Sequence, residues 1–494
     1  MKKFKFVLAI ALIAIVMTSC LVGCNSGAMK DVPIDTTGMY PEENLAYKKP
    51  VTTSNNGNGK ALVDGNIKTV WKTHDLHYHT AEIDFGKEID FNTVVLREES
   101  DAVNKFRLYA FEGDKWKMIY EQDRIMRLRT CYIEPTKASK LKIMIVENRG
   151  DVKISSLEVY NQAKRDKKFM VTDYCTMDYN KETGINEIVA KKDDPGFTGY
   201  FNVITDIIAF NCVSIDNDCN IIFNNGEENF AKSLDALKYI IKNSGRQINI
   251  WCTIMFNPIK AVEGMDFHDT VANMLRTNSE KWNANVKAFV EKYALYGIDY
   301  DWEYPHKQPQ WDMYDKLVIE TAKFTKVSVA LPPWGIYFSK DAIKAINHVN
   351  LMTYDLFDDR GDHCNMFIGG YASAYRTIKA GFKKEQIMLG IPTYGRVANK
   401  TGSAWPVYND KLGKWGNIVR DYDYGEEQPD KTVERFTSDG FVNGFAMTRD
   451  KTLTAIDMDL GGIMIFRAKC DTPYTYEYSL HKAMKEVIDN RIGK

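Results

Sequence analysis

The chain has 494 residues, too many for one compact core, so two or three domains are expected. Its 65 basic and 66 acidic residues nearly cancel, which excludes the strongly charged field of a nucleic-acid binder or a reader of acidic polymers. Hydrophobic content of 44% is enough to fill cores, and an aromatic content of 12% fits a protein that stacks against sugar rings as well as one that packs rings internally.

The chain opens on a basic "MKKFKF", an apolar "VLAIALIAIVM" and then "LVGC". The apolar run is too short and too early for an ordinary membrane span, and residues 1–23 read as an export signal. Leu21 to Cys24 resembles the bacterial lipobox. That implies cleavage before Cys24, lipidation of its thiol, and a protein held at the outward-facing cell surface by its acyl chains. No later stretch reaches the roughly 18 uninterrupted apolar residues of a transmembrane helix. Residues 24–43 are polar and carry Gly, Pro and Thr, as a tether would. The seven cysteines beyond Cys24, namely Cys131, Cys175, Cys212, Cys219, Cys252, Cys364 and Cys470, are scattered and form no dense disulfide framework. A single bridge such as Cys212 to Cys219 is compatible with the spacing.

Residues 44–161 show short alternating runs broken by turns: "TAEIDFG", "NTVVLREE", "KFRLYAF", "WKMIYEQ", "LKIMIVE" and "ISSLEVY". This spacing predicts an all-β sandwich. A charged connector, "QAKRDKK", fills 162–168. From Phe169 apolar strand-like runs alternate with amphipathic helical segments. The strands are expected in "FMVTDYC", "FNVITDIIAF", "QINIWCTIMF", "YGIDYDWEY", "KVSVALPP", "HVNLMTYD", "IMLGIPTYG" and "GGIMIFRA". Eight strands with helices between them over residues 169–494 predict a parallel α/β TIM barrel, with its active site at the carboxyl ends of the strands. The long interval 397–458 is expected to be an inserted subdomain.

"GIDYDWEYP", residues 297–305, is the fourth of these runs. On a strand, i, i+2 and i+4 share one face, so Asp299, Asp301 and Glu303 point together into the barrel. Ile298, Tyr300 and Trp302 then face the helices. Crowded, desolvated carboxyls raise one another's pKa, which suits one of them to general acid catalysis near neutral pH. Glu303, last in the row and nearest the mouth, is the candidate acid. Asp301, one step deeper, is placed to hold a proton and orient substrate. A metal site would require more ligands, and no His lies within two residues of the row.

The segment resembles the D-x-x-D-x-D-x-E signature of family 18 glycoside hydrolases, the chitinase family. "LMTYD" (351–355) resembles the family's sixth-strand motif, giving Met352, Tyr354 and Asp355. "LGIPTYGR" (389–396) resembles the seventh-strand motif, giving Tyr394 and Arg396. "LGGIMIF" (460–466) resembles the eighth-strand motif, with Phe466 where an aromatic floors the central sugar subsite. The resemblance implies substrate-assisted retaining hydrolysis, with Glu303 as acid and base, Asp301 on the acetamide N–H and Asp299 behind it. Tyr354 would bind the acetamide oxygen and Asp355 would help to shape the sugar. Catalysis then needs no metal or organic cofactor. Two departures stand out: Tyr296 occupies the place of the first Asp, and the third-strand S-x-G-G is replaced by "IWCTIMF" (250–256). Trp334, after the fifth strand, and Trp405 and Trp415, in the insertion, are further candidates for contact with sugar.

"NLAYKKPVTTS", "ALVDGNIKTVW" and "SSLEVY" resemble a discoidin domain, the factor V/VIII C-type jelly roll also found as a carbohydrate-binding module. The likeness implies a structural calcium, with Asp64, Asn66, Thr69 and Glu158 as candidate ligands. Trp71 is expected in the core. His74, His77 and His79 match no strong zinc spacing. The expected partner is an N-acetylglucosamine-containing glycan and the expected state a monomer. Three functions stay open: a chitinase, an endo-β-N-acetylglucosaminidase acting on N-glycans, and an inactive surface lectin.

Overall fold

The computed structural model describes residues 29–74, 78–256, 258–363, 365–397, 435–437 and 440–493. Cys24, His77, Cys364, Trp405 and Trp415 lie outside the described residues, as does the side chain of Arg396.

Alternating burial builds the first unit. Antiparallel strands run in the order Trp71–Thr73, Val152–Tyr160, His79–Glu98, Leu128–Asn148, Val103–Glu112 and Lys115–Gln122, with Val51–Thr53 added on His79–Glu98. The runs 80–86 and 92–99, expected as two strands, form one ribbon whose register against Leu128–Asn148 breaks between Asp84 and Ile89 and again between Phe91 and Thr93. Such breaks let long strands turn from one layer to the next, and Phe85, Phe91, Val94, Leu141 and Ile143 share the resulting core. Trp71 is fully buried there, as expected, with its indole N–H on Asn55 Oδ1 at 3.2 Å.

The second unit is the expected barrel. Parallel strands Met170–Thr176, Asp206–Ile215, Asn249–Met255, Gly297–Asp301, Lys326–Leu331, His348–Leu351, Ile387–Pro392 and Gly462–Phe466 pair in sequence, and the eighth strand pairs back on the first to close the ring. The predicted helices are present, joined by Phe267–Thr277, Phe445–Asp457 and Leu480–Arg491. Phe445–Asp457 corrects the reading of 397–458 as an insertion. Its last part is a barrel helix against the seventh and eighth strands, with the sandwich strand Leu128–Asn148 on its other side. A helix covered from two directions loses its polar stripe from view: Asp450, Lys451 and Thr452 are as buried as Leu453.

The two units are packed together. Arg129 Nη2 reaches Asp450 Oδ2 at 3.0 Å, with both side chains wholly buried, and Tyr132 N–H donates to Asp450 Oδ1 at 2.8 Å. Asn490 donates to the Tyr132 hydroxyl at 2.7 Å and Arg491 to Thr93 Oγ1 at 3.0 Å. The described part of the expected tether, residues 29–43, is part of this seam. Met29, Val32 and Met39 are buried, Tyr40 stacks on Tyr160 at 4.8 Å, and Asp35 N–H donates to the Tyr371 hydroxyl at 2.7 Å. A few apolar side chains in a polar stretch are enough to draw it into a groove. Cys212 faces Cys252 on the neighbouring strand, Sγ to Sγ 4.0 Å, and not Cys219; all three are free thiols.

Candidate active site

The fourth strand pairs Trp251 to Met255 on one side and Lys326 to Val329 on the other, so that Thr253, Asp299 and Ser328 stand level across three strands. The inward face carries Asp299. The outward face carries Ile298, Tyr300 and Trp302, all fully buried, with Tyr300 and Trp302 against Trp282 and Tyr314 of the helix layer. The aromatic outward face anchors the strand and thereby aims the acids.

Asp299 lies in the barrel axis with no exposed surface. Its Oδ1 accepts from Ser328 Oγ at 2.6 Å and Asn350 Nδ2 at 3.1 Å, and its Oδ2 from Thr253 Oγ1 at 2.8 Å and the Tyr174 hydroxyl at 3.0 Å. Burial pushes its pKa up, and the four donors pull against that shift. Strand pairing ends at Asp301, and Glu303 follows it into the mouth, exposed to solvent. The Asp301 and Glu303 side chains are hydrogen-bonded to each other. Desolvation first, and then the charge of Glu303, holds Asp301 well above the usual carboxylate range. Glu303 is raised too, by desolvation, with the charge of Asp355 adding to it, while hydrogen bonds from Tyr304 and Asp301 oppose the rise. Two like-charged carboxyls this close keep one proton between them. Asp301 Oδ1 is buried and has no hydrogen-bond partner among the described residues.

Aromatic rings wall the mouth. Phe466 stacks on Tyr354 at 5.6 Å with 22° between planes, and meets Tyr394 edge-on at 6.2 Å and Tyr174 at 5.8 Å. Met352 and Tyr354 share this cluster with Trp251, Met388 and Met464. The sixth-, seventh- and eighth-strand candidates therefore meet at the acids. Asp355 follows Tyr354 with a left-handed backbone (φ 59°), and its Oδ1 lies 3.3 Å from Nδ1 of His363. Trp334 is half-buried in the loop after the fifth strand.

Tyr174, Thr253, Ser328, Asn350 and Tyr304 were not singled out from the sequence, although a signal exists for three of them. Thr253, Ser328 and Asn350 are single polar residues at inward positions of otherwise apolar strands. The bulk of the third strand is explained by its neighbours. Trp251 donates its indole N–H to Asp206 Oδ1 at 2.9 Å and stands edge-on to Tyr296 at 5.2 Å. Gly297 makes the room, since a Cβ there would lie 2.2 Å from the Trp251 ring. Tyr296 is 45% exposed and sits one strand step before the buried row, away from its donors.

The four calcium candidates do not form one set. Asp64 accepts from Asn66 N–H at 2.8 Å and from the Thr69 hydroxyl at 2.7 Å, closing a local turn. Glu158 is engaged elsewhere: Oε1 accepts from Ser156 at 2.8 Å and lies 3.6 Å from Arg97 Nε, and Oε2 accepts from the Tyr160 hydroxyl at 2.6 Å. A carboxylate already facing a guanidinium is a poor ligand for a dication. Among the described residues no three His, Cys, Asp or Glu side chains converge as a metal site. His74 pairs with Asp151 at the surface at 3.2 Å.

The sequence profile described as Glycosyl hydrolases family 18 matches residues 202–471, and that of the F5/8 type C domain matches residues 48–159. Endochitinase 1 of Metarhizium robertsii is 29% identical over 165 residues, which are 27% of this chain and 39% of that protein. Endochitinase 1 of Metarhizium anisopliae is 26% identical over 228 residues, 37% of this chain and 53% of that protein. The chain thus spans about two fifths to one half of these curated relatives. A family 18 chitinase from the chitin utilization locus of Flavobacterium johnsoniae shares the fold, with a TM-score of 0.50 at 19% identity over 66% of this chain and 95% of that one.

Proposed function

The chain belongs to glycosyl hydrolases family 18, whose profile covers more than half of its length, and from that premise we propose that it hydrolyses β-1,4 linkages after N-acetylglucosamine in chitin or its oligomers. Glu303 gives its proton to the glycosidic oxygen, and the bond from that oxygen to the anomeric carbon breaks. The carbonyl oxygen of the substrate's own 2-acetamido group forms the new bond to that carbon, giving an oxazolinium ion. Asp301 takes the acetamide N–H, and the Tyr354 hydroxyl steadies the acetamide oxygen. Water then attacks the anomeric carbon, Glu303 takes its proton, and the acetamide is restored.

The observation that carries this reading is the pairing of an exposed, proton-sharing Glu303 with an Asp301 whose buried Oδ1 has no partner among the described residues. A solvent-open acid alone fits many hydrolases. An orphan acceptor one step deeper calls for a donor on the substrate, and an amide N–H is such a donor. Two of the curated relatives that match are endochitinases by name, which favours chitin over N-glycans.

The test uses N-acetylglucosamine oligomers, glucose oligomers of equal length and a high-mannose glycoprotein. The proposal expects cleavage of the first and none of the second. Equal cleavage of glucose oligomers would overturn substrate assistance, and cleavage of the glycoprotein alone would move the substrate to N-glycans. Surface anchoring through Cys24 belongs to the same proposal. Labelling of the cells with radioactive palmitate should mark the native protein and not a Cys24→Ala variant.

A further inference from the structure

Tyr354 and Asp355 open the loop that joins the sixth barrel strand to the next helix. The middle of that loop is gripped by the sandwich. Arg124, in the turn between two sandwich strands, is 2% exposed and donates from Nη1 to Asp358 Oδ2 at 2.8 Å and Asp362 Oδ2 at 3.4 Å. Its Nη2 donates to Asp101 of the sandwich at 3.1 Å. Arg360 reaches the other way, from the loop into the sandwich, with Nη1 on Asn104 Oδ1 at 3.0 Å and Nη2 on the Asp101 carbonyl at 2.7 Å.

The grip is transmitted by short bonds. Asp358 Oδ1 accepts the backbone N–H groups of Arg360 at 2.8 Å and Asp362 at 3.1 Å, and Oδ2 also accepts from Asn365 at 3.1 Å. Asp358 N–H donates to the Asp362 carbonyl at 3.0 Å and Leu356 N–H to the His363 carbonyl at 3.1 Å, which folds the loop back on its start. His363 is fully buried, with Nε2 3.2 Å from the Phe441 carbonyl, and its Nδ1 is the atom beside Asp355. A buried guanidinium that leaves forces two buried carboxylates to find other partners or repack. Loops without such ties sample many positions.

We propose that Arg124 is a positioning residue for the active site, and that through Asp358, Asp362 and His363 the sandwich domain sets where Tyr354 and Asp355 stand. This inference rests on the hydrolase reading for its kinetic consequence and on geometry alone for its structural one. The sandwich is then a working part of the catalytic mouth on this face, whatever its outer loops bind. Arg491 supplies an internal control: it is equally buried, on the same domain seam, but it donates to the Asn92 carbonyl at 2.5 Å and to Thr93 Oγ1 at 3.0 Å.

The experiment compares full-length native protein with Arg124→Met, Arg124→Lys and Arg491→Met. Amide hydrogen exchange is read at Leu356, Asp358 and Asp362, and kcat and KM are read on N-acetylglucosamine oligomers. Arg124→Met is expected to speed exchange at these three amides and to lower kcat by about 10²-fold, the scale of an ångström-sized misplacement, with KM changed less. Arg124→Lys keeps the charge but not the fork and should fall between. Arg491→Met should lower the unfolding temperature while leaving loop exchange and kcat near native. Native exchange in the loop of Arg124→Met overturns the inference, and so does an equal loop effect in Arg491→Met. Native protein that cleaves no oligomer counts against the proposed function only, because the exchange comparison still decides the positioning role.

Discussion

Asp299 in the barrel axis and Asp450 on the helix under the sandwich are both carboxylates with no exposed surface, yet their partners differ in kind. Asp299 is met by three hydroxyls and an amide; Asp450 faces the guanidinium of Arg129 at 3.0 Å, with a tyrosine hydroxyl and a backbone N–H beside it. The same contrast separates Asp301 and Glu303, whose desolvation is met with a shared proton, from Asp358 and Asp362, whose burial is met by Arg124. Burial raises the pKa of Asp450 too, with the charge of Arg129 pulling against it; the cation favours the ionised form and ties the carboxylate in place as a structural pin. Neutral donors leave the protonation equilibrium open, and a carboxyl that can still change charge is one that can do proton chemistry. On the proposed mechanism the chain uses one residue type for anchoring and for proton transfer, and the neighbour decides which.

The largest break in this contrast should come from Glu303→Gln, which keeps shape and removes the proton. We expect kcat on N-acetylglucosamine oligomers to fall about 10²–10⁴-fold while calorimetric binding of the same oligomers persists; unchanged turnover would remove Glu303 from the chemistry. On the anchoring side, Arg129→Met leaves Asp450 without its cation and should cost about 3–5 kcal/mol, with most of it regained when Asp450→Leu is added. Thermal unfolding of the single and double variants reads this directly, and a double variant no better than the single would argue against a charge origin.

Between the extremes lies Ser328→Ala, which withdraws one of four donors from Asp299. A stability loss of about 1–3 kcal/mol is expected from the buried acceptor left short, read by denaturant unfolding. A titratable cation gives a finer test. His481 sits between Asp173 Oδ2 at 2.9 Å and Asp471 Oδ2 at 2.7 Å, and these carboxylates hold its pKa up at about 9 against the loss from burial. A cation-forming group with a raised folded pKa stabilises fully below its unfolded value, about 6.5, and loses that contribution as pH rises through the folded one. The unfolding temperature should therefore decline from about pH 6.5 to about pH 9, and His481→Gln should flatten that slope. The smallest effect is expected at the mouth. The charge of Asp355 helps to raise Glu303, so Asp355→Asn should move the alkaline limb of the kcat/KM profile to lower pH. A shift to higher pH would contradict that electrostatic sign.

The acid row was legible because its period matches a strand and its composition does not. Three carboxylates at every second position, with Ile298, Tyr300 and Trp302 between them, leave one geometry in which both faces have a purpose. Both domains were legible for a similar reason: alternation marks the sandwich, and apolar runs spaced by helices mark the barrel. The helix Phe445–Asp457 was not, because it is buried on two sides and its polar residues break the amphipathic pattern used to find helices. Nor was the packing of residues 29–43, where Met29, Val32 and Met39 are too few to stand out from a linker. The place of Glu158 beside Arg97 was hidden too, because it depends on which strands are neighbours.

What the sequence determined by itself is what local periodicity can encode: two domains, a closed parallel barrel, and Asp299, Asp301 and Glu303 on one face near its mouth. The tertiary structure alone decided which carboxylates meet cations. Arg124 and Asp358 are separated by 234 positions, and Arg129 and Asp450 by 321. No period or motif links residues so far apart, because their pairing is a property of two domains packed face to face. That packing sets the dielectric and the nearest charge, and these set whether a buried acid is a pin or a proton carrier.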